Sequence, residues 1–258
     1  MIVADGVKVR RGGKELLQGV NVEVHVGEFF VVLGPNGAGK STFIKTLTGE
    51  IEPSAGTVQL GGKKLADWDP VVLGKIRGHL PQNSDMAFPF SVMEIVLFGR
   101  IPHYQWFESS EDMKIANEAL ALVGMEQFAN RKYLTLSGGE QQRVQLARVV
   151  AQIWDKPADH KRYLLLDEPT SSLDVVHQEH VLHLVKKLTG QDIAVLAILH
   201  DINQACKYAD QILFIKGGKQ VAYGSVDQTL KKEVIEEVYD MEVTLISHPK
   251  REGLLVLT

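Results

Sequence analysis

A chain of 258 residues, 45% hydrophobic and 23% charged, suits one α/β domain with appended sub-domains better than two full domains. Its net charge of −4 gives no electrostatic case for nucleic acid or anionic lipid, and a single cysteine, Cys206, excludes an internal disulfide or a thiolate zinc site. A reducing cytosol fits that cysteine usage; the N-terminus lacks the basic-then-apolar pattern of a secretory signal, and no stretch approaches the ~18 apolar residues of a membrane span, so neither feature is expected.

The first 33 residues read as β-rich. Residues 20–24 alternate with period two, 25–28 turn, and Phe29–Leu33 is a continuously apolar strand of the buried kind. A helix is expected from 42 to 47 and a strand over 57–60, closed by Gly61-Gly62. From 84 to 150 the character changes: 92–98, 111–123 and 140–153 are helical in pattern, as in an inserted α-helical sub-domain. Apolar strands return at 163–166 and 193–199, separated by a helix over 175–188, and such strand-helix-strand units imply parallel pairing. Residues 212–223 read as a hairpin turning at 216–219. The tail offers one helix from Asp227 to about Tyr239 and two short strands around 249–253.

Chemistry concentrates at four places. Immediately after Phe29–Leu33 stands Gly34-Pro35-Asn36-Gly37-Ala38-Gly39-Lys40-Ser41-Thr42, the spacing G-x-x-x-x-G-K-S between a strand and a helix. Glycines let backbone N–H groups turn inward around phosphate oxygens, Lys40 reaches the β- and γ-phosphates, Ser41 suits Mg²⁺, and the helix start adds its positive dipole end. A nucleoside triphosphate with Mg²⁺ is therefore expected. Asp167 and Glu168 follow an apolar strand, where Asp167 can serve Mg²⁺ and Glu168 can polarise an attacking water as general base. Ser137-Gly138-Gly139-Glu140 has the form of a capping box, and its two glycines leave the helix N-terminus open to an anion. His177, His180 and His183 lie on one side of a helix, but fan too widely, without a carboxylate or thiolate, for a metal site.

Taken together and in this order, these segments resemble the nucleotide-binding subunits of ATP-binding-cassette (ABC) transporters, over nearly the whole chain. The resemblance implies a P-loop NTPase α/β fold: a mostly parallel core sheet, an antiparallel β sub-domain and an inserted helical sub-domain. The 258 residues would form one cassette, with 1–83 and 160–225 as the core, 84–159 as the helical part and 226–258 as a C-terminal extension. Gly34 through Thr42 would be the Walker A loop, Gln82 the glutamine that senses Mg²⁺ beside the permease, and Leu136 through Glu140 the family signature. Asp167 and Glu168 would be Walker B and the catalytic glutamate, Ser171-Ser172-Leu173-Asp174 the loop crossing the dimer interface, and His200 the histidine at the γ-phosphate. Ser41, Gln82 and Asp167 would then serve Mg²⁺, while Lys40, Gln82, Glu168 and His200 carry turnover. ATP would lie between two copies, bound by Walker A of one and by Ser137, Gly138, Gly139, Glu140 and Asp174 of the other.

The same resemblance implies separate transmembrane permease subunits, an indirect periplasmic substrate-binding protein, and a peripheral place on the cytoplasmic face of a bacterial inner membrane. Leu80-Pro81-Gln82, Phe88-Pro89-Phe90-Ser91-Val92 and Gly99-Arg100-Ile101-Pro102-His103 resemble ATPases of importers for iron-siderophore complexes, vitamin B12 and haem; the stretch 154–161 resembles the haem branch. One departure stands out: Arg11 falls where the family often carries an adenine-stacking aromatic, which leaves base selectivity open. The competing readings are a soluble ABC ATPase acting on ribosomes or DNA, which usually carries two cassettes or a coiled-coil insertion, and an ATP-binding regulator without turnover.

Overall fold

The computed structural model describes residues 1–83, 86–248 and 253–257. The chain forms two compact units, Met1–Asp67 with Ala194–Thr258, and Trp68–Ile193.

The first unit opens with the antiparallel pair β1 (Ile2–Arg11) and β2 (Lys14–Val24). Gly12 and Gly13 join them at φ +56° and +77°, the left-handed pair that a tight, right-twisted hairpin needs. Along β2, Val20, Val22 and Val24 point inward while Asn21 and Glu23 face water, so the period-two reading is realised. Then come β3 (Phe29–Leu33), buried at every residue, α1 (Lys40–Leu47), β4 (Ala55–Leu60) and the short β5 (Lys63–Lys64). The antiparallel sheet runs in the order β2-β1-β4-β5.

The second unit begins with α2 (Pro70–Ile76), capped by Asp69, and β6 (Arg77–Leu80). Neither element is expected from the sequence. β6 has no apolar run; at Gly78 a Cβ would stand 2.6 Å from Val149 Cγ1, so a tertiary approach holds this strand in place. Three helices follow: α3 (Val92–Phe98), α4 (Ser110–Leu122) and α5 (Gly138–Gln152). Each starts on a complete capping box, Ser91 with Glu94, Ser109 with Asp112, and Ser137 with Glu140, which satisfies the first orphan N–H groups. They bury Val92, Ile95, Val96, Ile115, Ala116, Ala119, Leu120, Val144 and Ala147 against one another. β7 (Arg162–Asp167) pairs in parallel with β6, and α6 (Val175–Thr189) completes the unit.

Returning to the first unit, β8 (Ile193–Ile198) leads to α7 (Ile202–Tyr208) and the hairpin β9 (Gln211–Lys216) and β10 (Lys219–Ser225). β3 lies between β8 and β9 and is parallel to both. The tail corrects one expectation: the single helix is two, α8 (Val226–Thr229) and α9 (Lys232–Tyr239). Leu230 is drawn into the core and Lys231 is extended at φ −116°, ψ 145°, which breaks the run. β11 (Thr244–Ser247) and β12 (Leu254–Leu257) pair antiparallel; of the strand residues expected around 249–253, residues 249–252 lie outside the described residues. No helix among the described residues is long and apolar enough to cross a membrane.

A buried cation organises the helical unit. Arg100 donates from Nε to Asp112 Oδ1 at 2.8 Å, from Nη1 to Ala151 O at 2.8 Å and from Nη2 to Asp155 Oδ2 at 2.7 Å. It thereby joins the end of α3, the start of α4, the end of α5 and the 154–161 stretch, whose His160 sets its ring edge-on to Trp68. Burial alone would raise the Asp112 carboxyl, but hydrogen bonds from Ser109 and then Arg100 outweigh it and hold the group below its usual range. Its stabilisation is therefore present above a pH of about 4 and lost as pH falls through the lowered value. Arg100→Ala leaves Asp112 buried without its cation and is expected to cost about 3–5 kcal/mol in urea unfolding and to blunt that acid transition. A loss under about 1 kcal/mol would show that this cluster does not hold the unit.

Candidate functional site

In the first unit, β3 ends in the glycine-rich turn. A Cβ on Gly34 would stand 2.1 Å from Ile215 O and one on Gly39 2.8 Å from Leu16 O, so at these two positions the loop lies too close to neighbouring backbone for any other residue. Its underside is braced by the β9–β10 turn: Gly218 N donates to Ala38 O at 2.7 Å and Gln18 N to Gly218 O at 2.9 Å. Lys40 is buried, and its Nζ donates to Gly34 O at 2.7 Å and Pro35 O at 3.0 Å, so the ammonium is folded back inside the loop. Gly39, the cap residue of α1, has no side chain to offer the first-turn N–H groups, and Ser41 and Thr42 are half-buried on that turn. An ammonium and a helix N-terminus without a side-chain cap make an anion cradle suited to phosphate.

His200 leaves the strand next to this loop. Leu199 N donates to Val32 O at 3.3 Å, and His200 is exposed on the bend between β8 and α7. Parallel pairing of β3 with β8 therefore brings the glycine-rich turn and His200 to the same sheet edge. The sequence gives no sign of Tyr239, whose enclosed hydroxyl faces the Gly34 N–H. Burial pushes its pKa up to about 12, while the Gly34 N–H facing it pulls the other way.

In the second unit, β7 ends in Asp167, 2% exposed, and Glu168, 9% exposed. Glu168 occupies the left-handed region at φ +53°, a conformation that costs a non-glycine residue on the order of 1–3 kcal/mol. Its carbonyl is pinned by three donors: Ser171 N at 3.3 Å, Ser171 Oγ at 3.1 Å and Gln142 Nε2 at 3.2 Å. Its carboxylate accepts from Gln82 Nε2 at 2.9 Å, two residues beyond β6. Gln82 and Glu168, 86 residues apart in the chain, are thus in direct contact because β6 and β7 are parallel neighbours.

The Ser137 segment keeps both of its sequence features. Ser137 N donates to Glu140 Oε2 at 2.8 Å and Glu140 N to Ser137 Oγ at 3.3 Å, while Ser137 and Gly138 remain exposed. The N–H and then the hydroxyl of Ser137 hold the Glu140 carboxyl below its usual range. At Gly139 a Cβ would stand 3.1 Å from Ser172 O, so the helix start is seated on the 171–174 loop of its own chain. Asp174 caps α6 through His177 N at 2.9 Å, and His177 Nδ1 lies 2.9 Å from each carboxylate oxygen. These contacts, the backbone one first, hold Asp174 low. Gln142 was not singled out in the sequence; its signal is a glutamine one turn beyond Gly138 on the helix face that carries the segment. Arg11 ends β1, exposed beside the Gly12-Gly13 turn.

A family model described as ABC transporter matches residues 17–171. The "Hemin import ATP-binding protein HmuV" of Gloeobacter violaceus is 49% identical over 257 residues, covering 100% of this chain and 94% of the relative. The protein of the same name from Pseudomonas aeruginosa is 43% identical, covering 100% and 99%. Among solved structures, a metal-chelate type ABC transporter in an inward-facing conformation superposes with a TM-score of 0.83 at 26% identity, covering 99% of this chain and 96% of that one. A dimeric cassette, MJ0796, bound to ADP and Pi after hydrolysis, superposes with a TM-score of 0.76 at 29% identity, covering 88% and 99%. The family model over residues 17–171 and the two relatives matched over the full length show that the chain belongs to the ABC transporter family.

Proposed function

We propose that this chain hydrolyses ATP as the energising subunit of an importer, and that the imported compound is haem. The observation that carries the ATPase reading is the Glu168 turn. A nearly buried carboxylate is held in a strained backbone conformation by three donors to its carbonyl, with Gln82 on its side chain, and strain of this kind is retained where the position of a reacting group matters. The haem reading is supported by the two hemin-import relatives, which this chain matches over its full length. The metal-chelate type neighbour favours a second substrate class, a ferric siderophore or vitamin B12, for the same role.

Roles follow residue by residue from the family likeness, with residues 1–258 acting as one cassette with its helical part and C-terminal extension. Gly34, Pro35, Asn36, Gly37, Ala38, Gly39, Lys40, Ser41 and Thr42 hold the triphosphate of ATP, and the Lys40 ammonium exchanges loop carbonyls for phosphate oxygens. By the same likeness, Mg²⁺ would be held by the Ser41 hydroxyl, the Asp167 carboxylate and the Gln82 amide oxygen, which are hard oxygen donors that suit it. When bound it neutralises phosphate charge. Glu168 accepts a proton from the attacking water, and His200 positions the γ-phosphate. Ser137, Gly138, Gly139, Glu140 and Asp174 serve the nucleotide of a second copy, so the working form is a two-fold dimer. It sits peripherally at the cytoplasmic face of the inner membrane and drives separate permease subunits served by a periplasmic binding protein.

The permease docks, on this reading, on the helical part of the chain near Gln82. Val92, Ile95, Val96 and Arg100 are buried, so substitutions there strike the helical core rather than a docking surface. Exposed apolar side chains lie beside them: Phe88 is 66% exposed, Trp106 89% and Phe107 83%. Trp106 and Phe107 are exposed aromatics of the kind that mark an interaction surface, while the Phe88 ring is tilted against that of Phe90 at 6.0 Å between centroids.

Glu168→Gln removes the base but keeps the phosphate and metal ligands, so kcat is expected to fall about a hundredfold or more while ATP binding persists. Lys40→Ala should instead weaken ATP binding, read by equilibrium titration. Near-normal turnover in Glu168→Gln would exclude the general-base role. With Arg11 in place of a stacking ring, discrimination between ATP and GTP is expected to be weak; a kcat/KM preference for ATP above about a hundredfold would rule that out. In vesicles holding this chain and its permease, ATP-driven uptake of haem is expected, and Trp106→Ala with Phe107→Ala should abolish uptake while sparing ATP hydrolysis by the isolated chain. Uptake of a ferric siderophore or cobalamin with none of haem would overturn the haem assignment alone.

A further inference from the structure

The bend that carries His200 is anchored on both sides, and the second anchor lies at the far C-terminal end of the chain. Upstream, Leu199 N donates to Val32 O at 3.3 Å and ties the bend to the strand that enters the glycine-rich loop. Downstream, Asp201 caps α7 by accepting from Asn203 N at 2.7 Å and Gln204 N at 3.2 Å. The Asn203 side chain then reaches β12: its Nδ2 donates to Val256 O at 3.0 Å, and Val256 N donates to its Oδ1 at 2.8 Å. Both backbone groups of one buried strand residue are thus satisfied by one side-chain amide, as a neighbouring strand would satisfy them. α7 packs against both β3 and β12.

This pairing has a geometric consequence. Only Ile202 separates Asp201 from Asn203, so Asn203 holds the cap residue adjacent to His200 through its backbone and the C-terminal hairpin through its side chain. The backbone that carries an exposed imidazole on a short bend is set by what holds the two ends of that bend. The matched family segment ends at residue 171, so the downstream anchor, Asn203 with Val256, lies beyond it. We propose that Asn203 is a positioning residue for His200, and that the β11–β12 hairpin, through Val256, is part of the device that places the imidazole for ATP hydrolysis. The proposal rests on the reading of His200 as the γ-phosphate contact.

The test is steady-state ATP hydrolysis by the full chain as wild type, Asn203→Ala, His200→Ala and the double variant, with thermal melting of each. Asn203→Ala is expected to lower kcat about tenfold with the KM for ATP within about twofold, because binding belongs to the glycine-rich loop. Asn203→Asp keeps the size and the acceptor oxygen but loses the donor to Val256 O; it is expected to lose kcat in the same direction and serves if the alanine variant does not fold. If Asn203 acts through His200, the double variant hydrolyses ATP no more slowly than His200→Ala alone. Wild-type kcat in both Asn203 variants, or a double variant slower than His200→Ala by the same factor that Asn203→Ala loses, would overturn the positioning role and leave His200 standing. Near-normal turnover in His200→Ala would overturn the His200 reading and the positioning role with it.

Discussion

Parallel strand pairing is the constraint on which the rest depends. Two parallel neighbours end at the same edge, so whatever follows each strand is delivered to one place. In one unit β3 and β8 deliver the glycine-rich loop and His200; in the other β6 and β7 deliver Gln82 and the Asp167-Glu168 pair. Three of these strands, β3, β7 and β8, are buried at every residue, as parallel strands with covered faces must be, while β6 is only half-buried. Their polar successors lie at the strand ends, where Asp167 and Glu168 are still buried and His200 is exposed.

Close backbone approach then shapes each emerging segment. Gly34 lies under the carbonyl of Ile215, Gly39 under that of Leu16 and Gly139 beside that of Ser172. A side chain at any of these positions would displace a neighbouring chain segment rather than a flexible tip. Glu168, like Asp192 and Asp240, accepts a left-handed backbone without glycine, and at Glu168 three donors to its carbonyl offset the strain. One of these donors, Gln142, sits on the helix that begins at Ser137, so the acidic turn and that helix are held to each other within one chain.

Much of this was legible in the residues. The motif spacings named Lys40, Ser41, Asp167, Glu168 and Ser137 because phosphate and helix-capping chemistry demand particular groups at particular offsets. Helices α3 and α5 were placed to within about two residues because they begin on serine boxes and continue with a helical apolar period. α2, β6 and α7 escaped for the opposite reason. Each has seven residues or fewer, and β6 carries arginine, glycine and histidine in four positions, too few apolar residues to set a period. The single helix expected in the tail divided at Leu230 because burying that leucine outweighed continuing the helical hydrogen bonds.

The sequence by itself therefore determined the chemistry available: which groups can cradle phosphate, which carboxylates follow a buried strand, which helices open with exposed N-termini. These are local properties, set by residue type and by spacing within a turn or two. Only the tertiary structure decided who meets whom. That Gln82 touches Glu168, that Arg100 gathers Asp112 and Asp155, and that Asn203 reaches Val256 are contacts across 86, 12, 55 and 53 residues. No periodicity encodes them, because each is made by the packing of whole elements whose partners lie far along the chain.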